Sequence, residues 1–139
     1  MYTERPVQQG AGQLGTQVKE RLKRKVLVYG DSLSRGPGGW ASSLVEACAA
    51  EGIDLEVVGC GLGGLPAVTM AASVHADSIF SLSGNGKGLG KLLSERGPFD
   101  LAIIMAGTND INFLGGAAWQ FTLQALLALH RTCSSHGTR

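Results

Sequence analysis

Three apolar runs, VLVYG, LEVVGCG and DLAIIMAG, each break off abruptly in a glycine-containing peptide, and helical patterns separate them. The runs are rich in β-branched and aliphatic residues and show little polar alternation, which suits strands buried on both faces of a parallel sheet. Between and after them, GWASSLVEACAAEG, LPAVTMAASVHA, KLLSERG and WQFTLQALLALHRTC carry apolar residues at helical spacing. In the first, Trp40, Leu44, Ala47 and Cys48 define the expected inner face; in the last, Phe121, Leu123, Ala125, Leu126, Leu129 and His130 do so. Pro66 falls in the first turn of its helix, where a missing N–H costs nothing. The segment SLSGNGKGLG reads as a glycine-rich loop. The order β-α-β-α-β-α, with connections long enough for right-handed crossovers, predicts a doubly wound α/β sheet. In such sheets working residues gather at the carboxyl ends of the strands. The peptides GDSLSRG, GCGLGG and GTNDIN should therefore converge.

Composition narrows the function classes. At 139 residues the chain has the length of one domain. Residues 1–24 read as a loose tail with a basic segment, KERLKRK, and 25–139 as the α/β domain. A net charge of +1, without aromatics interleaved among basic residues, argues against nucleic acid as a partner. Cys48, Cys60 and Cys133 form neither a CxxC pair nor an even set, so we expect reduced thiols, no metal and no cofactor. No stretch approaches the roughly 20 apolar residues of a membrane span, and the polar N-terminus has no signal-like core. The expectation is a soluble, cytoplasmic protein.

Ser32, at the end of the first run, reads at first as either a turn serine or a nucleophile. Taken together, GDSL after the first strand, GLGG after the second, and Gly-Thr-Asn-Asp after the third, about 75 residues beyond GDSL, resemble the GDSL, or SGNH, hydrolase family. The resemblance spans roughly Lys25 to Leu129. It implies a flavodoxin-like sheet, hydrolysis of ester bonds, Ser32 as nucleophile, and Gly64 and Asn109 as oxyanion-binding residues, with Gly63 the nearest rival to Gly64. The chemistry agrees with these residue types. A serine at a strand-to-loop junction can offer its hydroxyl to a carbonyl, and a glycine lets a backbone N–H approach a developing oxyanion. Asp31 and Asp110 are expected to bind loop N–H groups rather than to react. Gly59 to Gly64 also satisfies G-x-G-x-x-G, but the acidic residue that should support a dinucleotide site falls in the loop-like SIFSLSGNG region.

The resemblance also implies a later D-x-x-H block to supply the base, and the chain contains none. His75, His130 and His136 are the available imidazoles, and their contexts point to surface or helix-end roles. Leu101 to Ala106 would be an interior strand in the family's sheet; here it is expected to present an apolar edge, open to a partner strand or to self-association. The expectation is a hydrolase sequence cut short, with its C-terminal part missing and with weak or no turnover on a small-molecule ester. The alternative is a non-catalytic binding or assembly module on the same fold.

Overall fold

The computed structural model describes residues 22–34, 40–116 and 119–139. Three parallel strands, β1 (Leu22–Gly30), β2 (Ile53–Gly61) and β5 (Leu101–Met105), form one sheet in the order β2-β1-β5. Helix α1 (Trp40–Ala50) connects β1 to β2. Between β2 and β5 come α2 (Ala67–Ala72), a short antiparallel hairpin of β3 (Ile79–Ser81) and β4 (Gly84–Gly86), and α3 (Leu89–Arg96). Two further helices, α4 (Thr108–Leu114) and α5 (Trp119–Ser135), follow β5. The α/β class and parallel sheet anticipated from the three runs are present.

Position in the sheet explains burial along β1. It lies between β2 and β5, and Val26 to Gly30 are all buried. Successive side chains alternate between faces. Leu27 and Tyr29 enter the main core with Met70 of α2, Leu89 and Leu93 of α3, and Leu129 of α5. Val26 turns to the other face, where with Leu44 and Cys48 of α1, Leu55 of β2 and Ile103 of β5 it lines an open cleft of about 640 Å³. The two faces are thus unequally covered.

Tyr29 is fully buried and its hydroxyl has no hydrogen-bond partner among the described residues. Burial pushes its phenol well above the usual range, and the neighbouring Cys60 adds to this.

Several local expectations are corrected. The basic run is not free tail from Leu22 onward: Leu22, Lys23 and Arg24 pair with Ile53, Asp54 and Leu55. Backbone pairing does not depend on apolar side chains, and here Lys23 is exposed while the Arg24 guanidinium meets Asp100. The rest of the expected tail lies outside the described residues. SLSGNGKGLG is not one loop but the end of β3, the hairpin turn, β4 and the start of α3. In α1 the buried residue is Ala41, while Trp40 and Ala47 are exposed. In α5 the inward stripe is Ala125, Leu129 and Cys133, spaced at i, i+4 and i+8, and Phe121, Leu123 and His130 face outward. The edge of β5 is also not bare, because Ala102 N–H donates to the carbonyl of Arg139 (2.8 Å).

Candidate active site

Backbone hydrogen bonds tie the three strand-end peptides together. After β1 the chain turns into a short 3-10 turn, Ser32–Ser34, closed by Ser34 N–H on Asp31 O (3.0 Å). Gly30 O accepts from Leu62 N–H (2.7 Å), and Asp31 N–H donates to Met105 O (3.0 Å). One peptide unit therefore links the first block to both others. Gly30 is required by close approach, since a Cβ there would overlap the Met105 carbonyl and stand 2.5 Å from Ser34 Oγ.

The second and third blocks are joined by side chains. Asp110 is fully buried, and its carboxylate accepts from Ala67 N–H (2.6 Å) and Val68 N–H (3.3 Å), the first free amides of α2. Asn109 Nδ2 donates to Leu65 O (3.2 Å). A side-chain amide carries two N–H groups, so this contact leaves one. Asp31 is buried as well and accepts from Leu33 N–H (2.9 Å) in an Asx-type turn. Both aspartates thus stabilise backbone.

The turn that carries Gly63 and Gly64 separates the two rivals. Leu65 N–H closes it onto Leu62 O (3.1 Å), and Gly64 at its third position has φ of +77°, the region that a type II turn requires there. Gly63 N–H is taken by Ser83 Oγ (3.2 Å), and Gly63 O accepts from Leu82 N–H (3.0 Å). In a trans peptide the carbonyl and the following N–H point in opposite directions. Gly64 N–H therefore points away from the hairpin, and among the described residues nothing accepts from it or from Ser32 N–H. Ser32 itself is exposed, with no hydrogen bond from its hydroxyl to another described residue.

No histidine hydrogen-bonds Ser32. His75 is exposed, and its ring lies against Gly90 in the first turn of α3. His130 is exposed on α5. His136 folds back but toward α3: Nδ1 sits 2.9 Å from Thr132 O, and Nε2 is 3.2 Å from Ser94 Oγ. Three residues later the chain meets Ala102, near the start of β5, whereas Ser32 lies beyond the far end, where Met105 pairs with Gly30. At 3.3 Å per residue that is about 10 Å of strand alone.

Of the G-x-G-x-x-G glycines, Gly59 and Gly61 lie within β2, opposite Val28 and Gly30, and only Gly64 is in the loop. Burial pushes the Cys60 thiol above its ordinary range. No group of three or more His, Cys, Asp or Glu among the described residues is arranged to hold a metal ion. No helix among them is long and apolar enough to cross a membrane.

The sequence signals for Ser32, Gly64 and Asn109 place all three at the carboxyl edge. The contribution not legible in the sequence is the hairpin, whose strands are three residues each, too short for an alternating pattern, the second of them Gly-Asn-Gly.

No known family model matches the chain, and no curated protein does. Among solved structures, a mutant of the esterase AlinE4 aligns with a TM-score of 0.61 at 20% identity, over 84% of this chain and 56% of its own. A carbohydrate acetylesterase family member from Sinorhizobium meliloti aligns with a TM-score of 0.50 at 26% identity, over 78% of this chain and 54% of its own. The chain thus spans little more than half the length of either, and the likeness establishes its α/β fold.

Proposed function

We propose that the chain carries the nucleophile and oxyanion-binding half of an ester-hydrolysing site. The observation that carries this reading is the pattern of spent and unspent donors. Hydrogen bonds among the three strand ends and to the hairpin tip use Asp31 N–H, Leu62 N–H, Gly63 N–H and one proton of Asn109, and leave Ser32 N–H, Gly64 N–H and the second Asn109 proton without described acceptors. Those are the donors that an oxyanion next to Ser32 Oγ would need. Ser32 Oγ attacks the ester carbonyl, its proton passes to solvent or to a base, the alcohol departs, and an acyl group remains on Ser32 until water removes it. Both solved neighbours are esterases by name, which supports the class of reaction.

No imidazole touches Ser32 among the described residues, so we expect the chain to acylate slowly and to turn over little. Intact mass spectrometry after exposure to p-nitrophenyl acetate should show one acetyl group per chain, absent in Ser32→Ala. Asn109→Ala should slow acylation by about 10²- to 10³-fold, the usual effect of removing one oxyanion donor. Equal labelling of the parent chain and Ser32→Ala would overturn the reading, and brisk steady-state turnover would overturn the expectation about the base.

The absence of a histidine contact favours one second reading, a binding or assembly module on the same fold. Ligand binding that survives both Ser32→Ala and Asn109→Ala, without any acylation, would identify it.

A further inference from the structure

The β3–β4 hairpin is the one part of the carboxyl edge to which the oxyanion reading gives no substrate contact. Its tip is tied down at several points. Ser81 is buried, and its hydroxyl donates to Gly84 O (2.8 Å) and accepts from Ser83 N–H (3.2 Å). Leu82 N–H and Ser83 Oγ then grip the Gly63 carbonyl and N–H. A tip held in this way cannot fold its apolar side chain inward, and Leu82 is 86% exposed. Single exposed leucines are ordinary on protein surfaces. This one stands out by its place: its Cδ1 lies 2.7 Å from where a Cβ on Gly64 would be.

The other two groups have similar neighbours. Leu33, directly after Ser32, is 57% exposed, and Phe113, one helical turn beyond Asn109 on the same side of α4, is 68% exposed. Across residues 31–34, 62–66, 80–85 and 107–113 the only charged side chains are Asp31 and Asp110, both buried against amides. Among the described residues, these segments offer an incoming group apolar surface and no exposed charge.

We propose that Leu82, together with Leu33 and Phe113, receives the aliphatic chain of the acyl group, so that the preferred ester carries an acyl chain longer than acetyl. This rests on the assignment of Ser32 and Gly64 above. An uncharged rim with exposed Leu33, Leu82 and Phe113 complements a hydrocarbon chain and carries no described cation to pair with a phosphoester or a second carboxylate. The hairpin then acts twice: its backbone and Ser83 fix the direction of the Gly63–Gly64 peptide, and Leu82 selects the acyl group.

The first test does not depend on catalysis. The ¹⁵N-labelled Ser32→Ala chain is titrated with acetate and with octanoate while amide shifts are followed. Octanoate should give saturable shifts at Leu33, Gly64, Leu82 and Phe113. A methylene that buries half its surface gains about twofold in affinity, so the six extra methylenes should separate octanoate from acetate by roughly sixtyfold. Leu82→Ser should lower octanoate affinity several-fold; the residue is exposed and its N–H is retained, so the turn persists. Equal binding of the two acids, no saturable shift, or shifts confined to the cleft beside α1 would each overturn the proposal. So would shifts at Leu82 that grow with protein concentration in the absence of octanoate, which would mark a contact between copies.

In the second arm, acylation of Ser32 by p-nitrophenyl octanoate is compared with acylation by the acetate ester. The octanoate-to-acetate rate ratio should exceed one and fall at least fivefold in Leu82→Ser. If no ester labels Ser32, the ester-hydrolysis reading fails, and octanoate binding alone decides whether the apolar rim is a ligand site.

Discussion

The two ends of the sheet both hold charged residues, and they use them differently. At the carboxyl end, Asp31 and Asp110 are buried, and their oxygens accept from backbone amides of Leu33, Ala67 and Val68. At the amino end, Arg24 meets Asp100 at 2.8 Å and Lys25 meets Glu56 at 3.3 Å, with all four side chains partly open to solvent. A buried carboxylate that satisfies amides is costly to remove, because its loss leaves backbone donors unpaired away from water. An exposed pair exchanges one hydrated state for another and contributes little. Charge at one end of this molecule therefore fixes loop geometry, while at the other end it decorates the surface.

Three substitutions test that contrast. Asp110→Ala should have the largest effect, about 2–3 kcal/mol, because two amides at the start of α2 lose their acceptor. A fall in melting temperature of roughly 10 °C would match. A negligible shift would show that α2 does not depend on the third strand's peptide. Asp31→Ala removes a single amide partner and should cost about 1 kcal/mol, read from the denaturant midpoint at unchanged slope.

Arg24→Ala should have the smallest effect. Asp100 is held below the ordinary carboxyl range, first by Lys25 N–H and then by the Arg24 guanidinium. A depressed folded-state value means that the increment is present above the unfolded value of about 3.9 and is lost as pH falls through the folded value. The melting curves of Arg24→Ala and the parent chain should differ slightly at pH 7 and coincide near pH 2. A gap that widens on acidification would reverse the sign argument.

Much of the arrangement was legible in the chain. Apolar runs ending in glycine-containing peptides specified parallel strands and brought their ends to one edge, because buried strands need both faces covered and crossovers have one favoured hand. Asp31 was legible as a turn-binding carboxylate for a local reason, its place beside a tight turn, whereas the partners of Asp110 are amides of α2 more than 40 residues earlier in the chain, which only packing brings to it. Other features were not. Leu22, Lys23 and Arg24 show no apolar strand pattern, yet the backbone of β2 pairs with them. In α5 the apolar residues surround much of the helix, and only contact with α2 and α3 selected Ala125, Leu129 and Cys133 as the inward stripe. The hairpin was hidden because strands of three residues carry no periodicity, and it is held by burial of Ile79 in the core together with hydrogen bonds to Gly63 and within its own turn.

The sequence by itself determined the fold class and the three peptides that meet at the carboxyl edge, since strand character and turn chemistry are local properties. Only the tertiary structure decided which backbone donors stay free. Gly63 and Gly64 are adjacent and chemically identical, and it is the hairpin's grip on Gly63 that leaves Gly64 N–H pointing outward. The same packing carried His136 to Ser94 rather than to Ser32, because a histidine's neighbours depend on where helices dock and not on its distance along the chain.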